Sequence, residues 1–106
     1  MLILPIDASV PLLVLAAPVP QFKDRAAGVV ATDRDTGAPV SEISLALPVD
    51  GGGPQVLRVA VPASGIPDGL VMGSLVKATG LVFLTGEKNG RTWQMFRARA
   101  VTAVKA

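Results

Sequence analysis

The sequence predicts a small all-β domain, and three observations support that class. Half of the 106 residues are hydrophobic but only 4% are aromatic, and valine is prominent among the apolar residues, which suits half-buried pleated sheets. The 11 glycines and 9 prolines are scattered too widely for long helices. Apolar and polar residues alternate over 40–61 and 75–104, the period of a strand. A chain of this length forms one domain, to which we assign residues 1–106.

The N-terminal segment, MLILPIDASVPLLVLAAPVPQ, predicts a strand rather than a signal peptide or a membrane helix. No basic residue precedes Lys23, and Asp7 and two prolines interrupt the apolar run, whereas a secretory signal begins with positive charge and continues without a break. The longest clean run, residues 12–17, is much shorter than the ~20 residues of a membrane span. We therefore expect a first strand over residues 12–19 and a cytoplasmic protein without a membrane partner.

The remaining elements are separated by turn signals. In order they are a charged excursion (23–39, KDRAAGVVATDRDTGAP), a strand (40–49), the turn DGGGP, a strand (55–61), a connector with one helical turn (63–73), a strand (75–85), the turn EKNG and a strand (92–104). Alternation predicts core positions at Ile43, Leu45, Leu47, Val49, Leu57, Val59, Val61, Val76, Ala78, Val82, Leu84, Phe96, Ala98, Ala100 and Val104. The outward positions then include Val56, Phe83, Met95 and Val101. Five strands with a longer connector between the third and fourth predict a five-stranded Greek-key barrel, the OB-fold, with little or no helix. Another small β-barrel or an open meander is the alternative.

The stretch from Gly73 to Val82, GSLVKATGLV, resembles a signature of the bacterial single-stranded-DNA-binding proteins, the SSB class. That signature is a glycine, a strand of the type hydrophobic-Val-x-Val-x-Gly, a charged hairpin with a glycine at its tip, and a final strand. The segment EKNGRTW, residues 87–93, is similar to that hairpin. Over residues 18–101, the segments FKDR, TDRDTGAP and VKATGL are similar to small proteins of unassigned role encoded on actinobacterial plasmids and integrative elements.

The SSB resemblance implies binding of single-stranded nucleic acid by stacking of bases on exposed aromatic side chains. This chain offers only Phe22, Phe83, Trp93 and Phe96, and it ends in VKA where that class has an acidic tail. We therefore expect a specialised protein that acts in the replication or transfer of a mobile element. Its partner would be single-stranded DNA, or RNA, bound with little sequence preference.

Candidate binding residues come from the last strand, the excursion and the central strands. The predicted nucleic-acid-binding set is Phe22, Lys23, Arg25, Arg58, Lys77, Lys88, Arg91, Trp93, Arg97 and Arg99. Trp93, Arg97 and Arg99 alternate, so one strand face would carry a stacking ring and two phosphate-binding cations. A solvated outer face, with Trp93 packed on arginine stems, is the alternative. The excursion's cations alternate with aspartates, which favours a solvated loop there, and Arg58 either belongs to a basic stripe or pairs with Glu42.

Catalysis and metal binding have little support in the sequence. The chain contains no cysteine and no histidine, which removes thiol chemistry, the usual general base and the commonest metal ligand. The segment TDRDTG lacks the full ligand set of a calcium loop and is typical of a turn closed by aspartate hydrogen bonds. We expect no enzyme, no cofactor and no metal.

A protein-interaction or homo-oligomerisation module without nucleic-acid binding is the alternative function. The net charge is only +2, which does not by itself indicate nucleic acid. The outward apolar positions Val56, Phe83, Met95 and Val101 predict a homo-oligomer, with the outer face of the last two strands in the interface.

Overall fold

The computed structural model describes residues 2–6, 11–24, 26–33, 36–47 and 55–104. The strands in these residues are β1 (Leu2–Pro5), β2 (Leu12–Pro20), β3 (Phe22–Asp24), β4 (Val29–Val30), β5 (Val40–Leu47), β6 (Gln55–Pro62), β7 (Leu75–Thr79), β8 (Val82–Lys88), β9 (Arg91–Arg97) and β10 (Ala100–Ala103). A 3-10 helix, Ala63–Gly65, lies in the connector where the sequence predicts one helical turn. The all-β class is confirmed.

Eight strands form one sheet that curls into a half-barrel. The order of the strands is β1-β8-β9-β6-β5-β2-β7-β10, and β3 pairs with β4 in a separate two-stranded sheet. Strands β6 and β9 are parallel neighbours, whereas the other pairs in this sheet are antiparallel. The largest fully buried side chains are Leu12, Val14, Ile43, Leu45, Val59, Val61 and Val76. The main sheet thus has eight strands where the sequence predicts five.

Two of the predicted long strands are divided at one corner of the sheet. The predicted fourth strand consists of β7 and β8, separated near Gly80, whose φ of 66° few other residues adopt. The predicted fifth strand consists of β9 and β10, separated at Ala98 and Arg99. The Arg99 N–H donates to the Thr79 carbonyl at 2.9 Å. Both strands therefore turn at the same place and are joined there.

The corner changes which side chains point inward, because strand alternation restarts after each break. Val101 was expected on the outer face, but it is 4% exposed and belongs to the core. Phe83 was also expected outside, yet it is half-buried, with its ring centroid 5.2 Å from that of Phe96. Phe96 packs against the core, as predicted. The proposed oligomer interface on the last two strands therefore loses two of its apolar residues.

The predicted hairpin of residues 40–61 is confirmed in its strands. Strands β5 and β6 pair from Val40 opposite Pro62 to Leu47 opposite Gln55, without a register shift. The inward residues predicted for these strands are buried, except that Leu47 is half-buried. The predicted turn DGGGP and Val49 lie outside the described residues, which resume at Gln55.

Strand β1, which pairs antiparallel with β8, was not predicted from the sequence. All four residues of β1 are exposed, and all but Pro5 are large and aliphatic, so the strand has no alternating pattern by which to recognise it. The predicted first strand corresponds to β2, which also pairs with β5 and β7. Among the described residues, no helix has the length and apolar character needed to span a membrane.

Candidate nucleic-acid interface

The outer face of β9 carries Trp93, Met95 and Arg97 at alternate positions, as predicted. Cross-strand pairing places Gly86 of β8 opposite Trp93, and Ala60 of β6 beside Arg97. Trp93 and Met95 are half-buried, and Arg97 is exposed. An indole, a thioether and a guanidinium therefore follow one another along one strand, with about 13 Å between the first and last Cα atoms at the usual strand rise.

The indole of Trp93 lies against the backbone of Gly86. A Cβ atom at Gly86 would stand 2.9 Å from Cζ2 and 3.0 Å from Cε2 of the indole, so the absence of a side chain lets the ring approach β8 this closely. The Thr85 hydroxyl donates a hydrogen bond of 3.0 Å to the Trp93 carbonyl. The ring is thus supported by the sheet while part of the side chain stays exposed.

The hairpin between β8 and β9 brings Lys88 and Arg91 next to that ring. The two turn residues, Asn89 and Gly90, have φ values of 54° and 75°, as a two-residue type I′ hairpin turn requires. The turn places Lys88 directly opposite Arg91. An open hollow of about 620 Å³ is lined by Lys88, Asn89, Arg91 and Trp93. The predicted turn is confirmed, and it places two exposed cations beside the indole.

A cleft lies farther along β9, between this strand and the excursion that joins β2 to β5. It consists of two cavities of about 510 and 350 Å³ that share Asp33, Pro62 and Arg97, and we call it the Arg97 cleft. Other contributions come from Ala60 of β6, Met95 of β9, Ser64 of the 3-10 helix, and Gln21 and Thr36 of the excursion. The cleft therefore combines apolar surface, hydroxyl groups, the Asp33 carboxylate and the guanidinium groups of Arg97 and Arg99.

The excursion is held by its own backbone and by aspartate hydrogen bonds. The Ala31 N–H donates to the Gln21 carbonyl at 2.8 Å, and the Gln21 N–H donates to the Val40 carbonyl at 2.9 Å. The Asp33 carboxylate accepts hydrogen bonds from the Thr36 hydroxyl at 2.8 Å and the Thr36 N–H at 3.1 Å. This is the predicted aspartate-closed turn. It gives the wall of the Arg97 cleft a defined position.

Arg58 and Ala60 lie on the outer face of β6. Because Ala60 pairs with Arg97 of β9, Arg58 is on the same side of the sheet as Arg97. It is exposed and lies opposite Ser44. Glu42, the alternative partner, lies opposite Ala60 and accepts a hydrogen bond of 3.2 Å from the Gln21 amide. Within the described part of the chain, the arrangement favours the basic stripe over the Glu42 pair.

Other predicted residues lie away from this surface. Lys77 is exposed on β7 opposite Thr102, and β6, β5 and β2 stand between β7 and β9 in the sheet order. Phe22 and Lys23 are exposed on β3, outside the main sheet. Arg25 lies outside the described residues.

Arg99 joins the site in a different way from the one predicted. The break after β9 ends the simple alternation, and the Arg99 side chain lies against Gly80, where a Cβ atom would be 2.8 Å from Nε. Arg99 nevertheless lines the Arg97 cleft. It therefore contributes to the cleft and to the corner of the sheet at once.

The predicted site residues do not include Gly86 or the polar residues of the cleft, Asp33, Thr36 and Ser64. Gly86 had a signal, because counting outward from the Asn-Gly turn places residue 86 opposite residue 93 in a two-residue hairpin. The cleft had none, because Ser64 reaches the excursion only after the sheet has curled.

No protein-family model matches the chain, and comparisons with curated proteins and with solved structures likewise give no match. In the residues that the structure describes, no group of three or more aspartate or glutamate side chains is placed to hold a metal ion.

Proposed function

We propose that the protein binds single-stranded nucleic acid, DNA or RNA, along the outer face of β9. The observation that carries the proposal is the Trp93 indole, supported by Gly86 and bordered by Lys88 and Arg91. A base stacking on an aromatic ring contributes ~1–3 kcal/mol whatever its identity, so the proposed binding has little sequence preference. The Arg97 cleft continues the path along the strand.

The cations of this surface are available for phosphates. Arg58, Lys88, Arg91 and Arg97 are exposed, and none of them forms a salt bridge in the described part of the chain. Each phosphate contact releases counterions, so affinity falls as the salt concentration rises, with a slope of about 0.7 per contact on a single strand. Four contacts on this surface correspond to a slope near 3 at most.

We also propose that the half-barrel is an OB-fold. Strands β7 and β8 together form one bent segment, as do β9 and β10. Counted this way, β8 pairs with β9, β9 with β6, β6 with β5, β5 with β2, and β2 with β7. The five segments therefore pair in a ring, which the pairing of β2 with β7 closes at the β7–β8 segment. That order supports a five-stranded Greek-key barrel, a fold that binds oligonucleotides between its loops.

The resemblance of residues 73–93 to the SSB class agrees with this proposal. The similarity of residues 18–101 to proteins of actinobacterial plasmids and integrative elements extends the proposal to a specialised role in the replication or transfer of a mobile element.

The test is fluorescence anisotropy of labelled oligo-dT at several salt concentrations. We expect binding that weakens with salt, and a loss of about 5- to 150-fold in affinity for Trp93→Ala, the equivalent of one stacked base. Arg97→Ala should lower the salt slope by about 0.7. Lys77→Ala is the matched control, because it removes an exposed cation on a strand far from β9 in the sheet order.

Absence of oligo-dT binding at micromolar protein and low salt would reject the proposal. The protein-interaction module would then be the better account of the chain. Equal losses for Arg97→Ala and Lys77→Ala would instead indicate unspecific attraction to the whole surface and not a site on β9.

A further inference from the structure

A row of apolar side chains crosses four strands on the outer side of the sheet, away from β9. Register pairing places Leu75 of β7 opposite Leu13 of β2, Leu13 opposite Ala46 of β5, and Ala46 opposite Val56 of β6. The neighbours of these residues along each strand, such as Leu12, Leu45 and Val76, are buried in the core, so the row faces outward. We call it the outer apolar row.

Three of the four residues in the row are exposed, whereas Ala46, between Leu13 and Val56, is buried at 8% exposure. A turn beside the row carries more apolar surface. Val56 is 63% exposed, Leu75 43% and Leu13 38%. The turn that leads into β7 adds Val71 and Met72, at 60% and 75% exposed. Together these five side chains present on the order of 500 Å², near the upper end of the largest apolar patch on a typical monomer.

We propose that the outer apolar row, together with Val71 and Met72 of the adjoining turn, is the contact surface between two copies of this chain, packed sheet against sheet. Two such patches bury roughly 1,000 Å² in total, the area at which specific interfaces begin. The row spans three strand spacings, or about 14 Å, and contains no charged residue. A neutral row of this kind suits aligned packing of one sheet on another.

The charges at the border of the row also permit a second copy. Arg58 follows Val56 by two residues and Lys77 follows Leu75 by two, so both point outward next to the row. Strands β6 and β7 run in opposite directions, because each neighbouring pair from β6 through β5 and β2 to β7 is antiparallel. Arg58 and Lys77 therefore occupy diagonal corners. In a two-fold dimer with aligned strands, neither cation meets a cation of the other copy.

This interface replaces the one expected from the sequence. Val101 belongs to the core and Phe83 is half-buried against Phe96, whereas Val56, also among the expected residues, is in the outer apolar row. The proposed dimer does not depend on nucleic-acid binding, because no residue of the row lies on β9; the two surfaces adjoin at Arg58 of β6.

The test is the mass in solution by light scattering across a dilution series from ~100 μM. We expect twice the 10.8 kDa of one chain for the unaltered protein, and a single-chain mass for Val56→Glu and for Leu75→Glu. Val29→Glu is the matched control, because Val29 is an exposed apolar strand residue in the separate β3–β4 sheet, and this variant should remain a dimer. The milder double change Val56→Thr with Leu75→Thr keeps strand-forming residues if a glutamate variant fails to fold.

A single-chain mass for the unaltered protein at ~100 μM would overturn the proposal. So would a dimer that survives the changes at Val56 and Leu75 but is lost on Ile3→Glu, because the exposed edge strand β1 would then be the contact. Oligo-dT affinity at a fixed concentration of chains should change by less than about twofold in Leu75→Glu, which separates this result from the proposal for β9.

Discussion

Replacing Gly86 with alanine tests whether the Trp93 platform is set by the backbone of β8. The new Cβ atom would stand 2.9, 3.0 and 3.2 Å from Cζ2, Cε2 and Nε1 of the indole, whereas ordinary contacts begin at 3.4 Å. The ring must therefore move outward by roughly 0.5 Å, a gap that removes a quarter to a half of the dispersion energy of the affected contacts. Gly86 does not have positive φ, so the alanine itself adopts the backbone without strain.

The stability effect should be small, because two terms oppose each other. Alanine reduces the entropy of the unfolded chain, which stabilises the protein by about 0.4–1 kcal/mol, and the displaced indole loses a similar amount of contact. We expect the free energy of unfolding, measured in urea, to change by less than about 1 kcal/mol. The tryptophan emission should shift to longer wavelength, and oligo-dT affinity should fall roughly 3- to 10-fold, a part of the full stacking energy.

The control is a double-mutant cycle with Trp93→Ala. In that background Gly86→Ala meets no ring, so it should leave oligo-dT binding unchanged and stabilise the protein by about 0.4–1 kcal/mol. If Gly86→Ala leaves the tryptophan emission and the oligo-dT affinity unchanged in the natural chain, the backbone of β8 does not set the position of the Trp93 ring. An effect of Gly86→Ala on affinity that persists without Trp93 would contradict that role of β8 as well.

Three further predictions concern the corner, the core and the excursion, and urea unfolding measures each. Gly80→Ala should lower the free energy of unfolding by more than the ~1–2 kcal/mol expected from positive φ alone, because the new Cβ also meets Arg99. Gly69→Ala is the control, since Gly69 has a φ of 82° and open space around it. Equal losses of stability in the two variants would contradict the contact with Arg99. Val101→Ala should lower the free energy of unfolding by about 2 kcal/mol, as for a buried side chain. A change within about 0.5 kcal/mol would instead indicate that Val101 lies on the outer face. Asp33→Ala should lower the free energy of unfolding by about 1 kcal/mol through the two lost Thr36 hydrogen bonds. In the same background, Thr36→Ala should cost only the hydrogen bond that the Thr36 hydroxyl accepts from the Ala38 N–H.

Local pattern was sufficient wherever one strand keeps one face to the core. The hairpin of β5 and β6 is the best example, since its inward residues follow a period of two without interruption. The Asn-Gly turn and the aspartate-closed turn of the excursion were also predictable, because a few neighbouring residues determine their backbone angles.

Pattern failed where a single glycine inside an apparently continuous strand marks a bend. Gly80 lies within a run that reads as one strand, but its φ of 66° accompanies a break at the point where the Thr79 carbonyl accepts the Arg99 N–H from a distant segment. Beyond the bend, Val101 belongs to the core and Phe83 is half-buried against Phe96. The alternation before and after the bend is regular, but the sequence does not reveal that its phase has changed.

The alternation of neighbouring side chains is enough to predict the all-β class, the central hairpin and the face of β9 on which Trp93 and Arg97 lie. Which strands become neighbours depends instead on the folded sheet. It placed Gly86 under the indole, Asp33 and Ser64 beside Arg97, Lys77 on a distant strand, and Leu13, Ala46, Val56 and Leu75 in one outward row. Those placements depend on hydrogen bonds between segments far apart in the chain, and the register of such pairings is set when the sheet curls around its shared core.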